Sequence, residues 1–128
     1  MEQLIPYARS LETLVQRDAR YPLPAYGFML SALHETISRL ERPRHISGQE
    51  LAAGFKQFAL EQFGPMTLSV LEAWNLRSTE DLGAVVFNLI AIGLLNKTAE
   101  DRLEDFQNAY SFQEAFGGPY PYLTPTTA

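Results

Sequence analysis

A chain of 128 residues, 46% hydrophobic and 20% charged, has the size and apolar content of one compact domain that buries a core unaided. It holds no cysteine, which excludes disulfides, thiolate chemistry and cysteine-ligated zinc. The formal charge of −5 is concentrated in residues 78–128, where seven acidic side chains face only Lys97 and Arg102, and that half repels a phosphate backbone.

Apolar residues recur at helical spacing from the start. Leu4, Tyr7, Ala8, Leu11, Leu14 and Val15 mark one face of a first helix over residues 2–16, with Pro6 tolerated near its first turn. The opening residues carry Glu2 and lack the basic-then-apolar order of a secretory signal, so the cytoplasm is the expected location. A second helix is predicted over residues 24–40, with Pro24 as a first-turn residue and Phe28, Met29, Ala32, Leu33, Ile37 and Leu40 on its apolar face. Residues 41–46, interrupted by Pro43, connect it to the next.

Ser47-Gly48-Gln49-Glu50 has the form of a capping box, in which the serine oxygen and the glutamate side chain satisfy each other's backbone N–H groups. It opens a third helix along Leu51, Phe55, Phe58, Ala59 and Phe63, which Gly64-Pro65 ends. A short fourth helix is predicted over residues 65–74.

The most apolar stretch of the chain runs from Leu82 to Leu95, with Asn88 as its single polar side chain. Ser78, Thr79, Glu80 and Asp81 precede it and suit the N-terminus of a helix. Fourteen residues span roughly 21 Å as a helix, short of the roughly 30 Å needed to cross a membrane. A helix apolar on nearly every side is therefore expected at the centre of the fold, wrapped by the other elements.

Beyond Leu95 two readings stand. Residues 98–106 fit a short helix carrying Glu100, Asp101, Glu104 and Asp105, whereas Phe106, Asn108, Tyr110 and Phe112 alternate as in a strand that pairs with residues 94–97. Ser111-Phe112-Gln113-Glu114 is a second capping box for a final turn. The domain is predicted to end at residue 116, and residues 117–128, rich in proline and threonine, are expected to be an extended or disordered tail. Tyr120 and Tyr122 there have the setting of an extended recognition peptide.

Five segments in this order, RDARYPLPAY (Arg17–Tyr26), HISGQEL (His45–Leu51), ALEQFGP (Ala59–Pro65), VLEAWNLRSTEDLGAVVFNLIAIGLL (Val70–Leu95) and KTAEDRLEDF (Lys97–Phe106), together resemble a small family of uncharacterised conserved bacterial proteins of planctomycete and verrucomicrobial type. The resemblance implies no activity and carries no catalytic or binding residue over. Residues 70–95 are also similar to the helix–turn–helix unit of winged-helix domains, with a turn at Asn75–Ser78 and a second helix closing on Gly93-Leu94-Leu95. That similarity implies a β-hairpin wing after Leu95. Recognition helices of such domains present Arg, Lys, Asn or Gln to base edges, but here only Asn88 is available and an acidic segment follows.

Little in the sequence points to catalysis. His34-Glu35 lacks the second histidine of a zinc-protease helix, since Ser38 stands in its place. The acidic group at 100–105 lacks the glycine turn and ligand spacing of a calcium loop. No catalytic residue, cofactor or metal is expected. Arg42, Arg44, His45 and Ser47 form a candidate anion site at a helix N-terminus. Phe55, Phe58, Phe63 and Trp74 are expected in the core. Ala84, Asn88 and Ala91 share one side of the central helix, which either holds another helix closely or meets a partner protein.

The expected fold is mainly α, a compact bundle of five to six helices around a buried central helix, with room for a small winged-helix-like β-hairpin. The expected function is a non-catalytic protein-interaction or adaptor module whose partner is another protein or a second copy, with no membrane contact. The alternative is a winged-helix-like nucleic-acid-binding or regulatory protein using Arg17, Arg20, Arg39, Arg42 and Arg44, provided they converge. The acidic balance disfavours nucleic acid.

Overall fold

The structure, a computed structural model, describes residues 12–16, 18–97 and 101–117. Residues 12–16 are helical, with Leu14 buried, while the earlier part of the predicted first helix, and the tail beyond Gly117, lie outside the described residues. Five α-helices follow: α1 (Leu23–Ser38), α2 (Gly48–Phe63), α3 (Thr67–Ala73), α4 (Thr79–Ala91) and α5 (Phe112–Phe116). Single 3-10 turns at Gly64–Met66 and Leu103–Phe106 complete the order. The fold is mainly helical, and no described helix is long and apolar enough to cross a membrane.

α1 begins one residue ahead of Pro24, which occupies the first turn where its missing N–H costs nothing. Its buried side, Ala25, Tyr26, Met29 and Ala32, lies against Leu51, Ala52, Phe55 and Ala59 in the shared core with α2. The expected capping box opens α2: Glu50 N donates to Ser47 Oγ at 3.1 Å, and Ser47 N donates to Glu50 Oε1 at 2.9 Å. The two helices run antiparallel, Thr36 meeting Gly54 while Phe28 meets Phe58 and Phe63. Their approach leaves no room at position 54, where a Cβ would overlap Thr36 Oγ1.

α3 and α4 end in the same way. Leu76 N donates to Leu71 O and Asn75 N to Glu72 O around Asn75 at φ 62°, and Leu94 N donates to Leu89 O and Gly93 N to Ile90 O around Gly93 at φ 82°. Both are left-handed C-terminal caps that satisfy the last carbonyls. The second shortens the central helix relative to the apolar run: α4 stops at Ala91, and Leu94 and Leu95 continue as turn. Consequently α4 is not wrapped on every side. Leu82, Gly83, Val85, Val86 and Leu89 are buried, while Phe87 and Ile90 are only half-buried.

No strand forms among the described residues, so the expected hairpin wing is absent from them, and of the helix expected over 98–106 the described part, residues 101–106, holds only the Leu103–Phe106 turn. The reason is Phe106, 2% exposed, which leaves the period-two pattern to enter the core between α2 and α4. Two glycines admit it. A Cβ on Gly83 would lie 2.8 Å from Phe106 Cβ, and one on Gly48 would lie 3.0 Å from the ring. The following residues dock on the start of α4, where Asn108 N donates to Glu80 Oε2 and Ala109 N to Thr79 Oγ1. Ser111 then caps α5 through Glu114 N, and Tyr110 donates to Ala52 O at 2.8 Å.

Candidate functional site

The half-buried side of α4 forms one wall of a cleft of about 260 Å³. Val86, Phe87 and Ile90 come from α4, and Leu94 and Leu95 from the turn that the Gly93 cap creates. Leu33 and Ile37 come from the second half of α1, and Ile46 and Leu51 from either side of the α2 capping box. Phe106 closes the cleft beside Gly48. Burying Phe87 and Ile90 fully would require another element over α4, and among the described residues none supplies it.

Polar groups gather at the mouth. His45 Nε2 lies 2.9 Å from Asp101 Oδ2, and Gln49 Nε2 donates to Asp105 Oδ1 at 3.1 Å. Arg102 N donates to the other oxygen of Asp105 at 3.1 Å. Both side-chain pairs join residues 56 positions apart, so they tie residues 101–105 to the start of α2. Ser47, Asn96 and the Arg102 side chain also border the cleft. Ser47, His45 and Asp101 are the residue types of a hydrolytic triad, but Ser47 Oγ serves as the helix cap for Glu50 N instead of facing an imidazole nitrogen as a nucleophile must. Most of the side chains that line the cleft are apolar.

The structure thus brings His45 and Ser47 of the expected anion site to the mouth of the cleft, together with Asp101 and Asp105 of the acidic segment. Arg44 instead holds Glu50 through two bonds of 3.1 and 2.7 Å, and this guanidinium pulls the Glu50 carboxyl down to about 2. Arg42 is exposed. An external anion at Ser47 would compete with Glu50 and Asp101, which already occupy these donors.

Ala84, Asn88 and Ala91 face away from the cleft, since Asn88 lies roughly 150° around α4 from the side centred on Val86, Phe87 and Ile90 at about 100° per residue. Asn88 Nδ2 donates to Asp18 Oδ2 at 2.7 Å and to the Tyr26 hydroxyl at 3.1 Å. Ala84 is half-buried and Ala91 exposed. Arg20 grips the same Asp18 through two side-chain bonds of 2.9 Å, and these, followed by the Asn88 amide, pull the Asp18 carboxyl from 3.8 to about 2. Next to it Tyr21, 1% exposed, donates to Asp81 Oδ1, while Asp81 Oδ2 accepts Arg77 N at 2.9 Å. Burial and that bond push the Tyr21 hydroxyl above its ordinary value. Asn75 Nδ2 donates to Arg20 O at 3.1 Å, so residues 18–21, the α3–α4 turn and α4 form one network.

Of the arginines proposed as a basic surface, Arg17 lies outside the described residues. Arg20 pairs with Asp18, Arg39 with Glu61 and Glu35, and Arg44 with Glu50. Arg20 precedes α1 and Arg39 follows it, so a 16-residue helix, about 24 Å long, separates them.

Sequence reasoning missed Leu33, Ile37, Phe87, Ile90, Leu94 and Leu95 as the lining of one cleft. For the last four the signal was present as an apolar run longer than one face of a helix requires, interrupted by Gly93 near its end. Comparison with known proteins finds no matching family model, no matching curated protein and no matching solved structure.

Proposed function

We propose that the chain is a non-catalytic interaction module whose recognition site is the cleft between α1, α2 and α4. The observation that supports this is the cleft itself: an apolar interior of about 260 Å³ bordered by polar groups that are engaged with one another. Concave apolar sites with a few polar groups at the rim are the usual form of a binding site. The function is to hold an apolar group of a partner, with the rim excluding water around it. The part-buried network at Asn88 and Asp18 serves the fold, holding α4 so that its other side stays presented.

A titration with N-acetyl-leucine-methylamide, a small apolar side chain on an uncharged backbone, followed by methyl NMR, tests this. Saturable shifts are expected at Leu33, Ile37, Val86, Ile90 and Leu94, and Ile90→Trp, which fills the cleft, should remove them. Shifts confined to Leu23, Met66 and Leu103, the exposed large apolar side chains, would overturn the reading.

A further inference from the structure

We draw no further inference here: the strongest candidate, the open apolar cleft between α1, α2 and α4 on which Phe87 and Ile90 stay half-buried, belongs to the site already described, and nothing in the structure shows what covers it.

Discussion

Asn88 is a polar side chain inside the most apolar stretch of the chain, and its amide bridges Asp18 and Tyr26 across more than sixty positions of sequence. Replacing it with leucine leaves the Tyr26 hydroxyl and a largely buried Asp18 carboxylate short of a donor. Asn88→Leu should therefore cost about 1–3 kcal/mol, read as a lower urea midpoint, with the sedimentation coefficient unchanged. A change in association with unaltered stability would contradict this role. Asp18 also links the network to pH. Its folded carboxyl is depressed to about 2 from 3.8, so between these values the folded chain keeps it charged while the unfolded chain binds a proton. The stabilisation is complete above pH 4 and is lost as the pH falls toward 2. Urea midpoints of the wild type should fall through that window, and Asp18→Asn should flatten the decline. Equal slopes would show that Glu50 and other depressed carboxylates carry the whole effect.

Within the helices, two glycines of the α4 region test different physics. Gly83 sits in the helix, where alanine would ordinarily gain about 1 kcal/mol in propensity, but its Cβ would meet Phe106 Cβ at 2.8 Å. That atom is next to the backbone and cannot swing away. Gly83→Ala should lower the melting temperature and speed amide exchange in residues 103–106; a rise in melting temperature would show that Phe106 is not held as described. Gly93 has open space around it but a φ of 82°. Gly93→Ala should cost about 1–2 kcal/mol from the left-handed backbone alone and leave exchange at residues 103–106 unchanged. Between them the two variants separate the seat of Phe106 from the cap that turns Leu94 and Leu95 toward the cleft.

Across the described residues, three arginines are held in local ion pairs. Arg20, Arg39 and Arg44 are each held by carboxylates, and Arg20 and Arg39 stand at opposite ends of α1. Exposed pairs of this kind contribute about 0–1 kcal/mol, so Arg39→Ala should leave the urea midpoint nearly unchanged. The same pairing opposes the phosphate-binding alternative. Fluorescence-anisotropy titrations with duplex DNA at two salt concentrations should show no salt-sensitive binding in the micromolar range, and a steep salt dependence would restore that alternative.

The helix type, the order of the elements from α1 to α4, the Ser47–Glu50 capping box and the stop at Gly64-Pro65 were legible in the sequence, because each depends on residues within a turn or two of one another. Local pattern also marked Asn88 as the polar side chain needing partners. It could not name Asp18 and Tyr26, which reach Asn88 only when α1 and α4 pack. Nor could it place Phe106: local pattern left a short helix and a strand alternating with Asn108 and Tyr110 both open, and Gly48 and Gly83, distant in sequence, opened a core position for it instead. The cleft depended most on the tertiary structure. The apolar run from Leu82 to Leu95 announced a buried helix, but the left-handed turn at Gly93 and the approach of α1 and α2 decided which of its side chains the protein buries and which line the cleft.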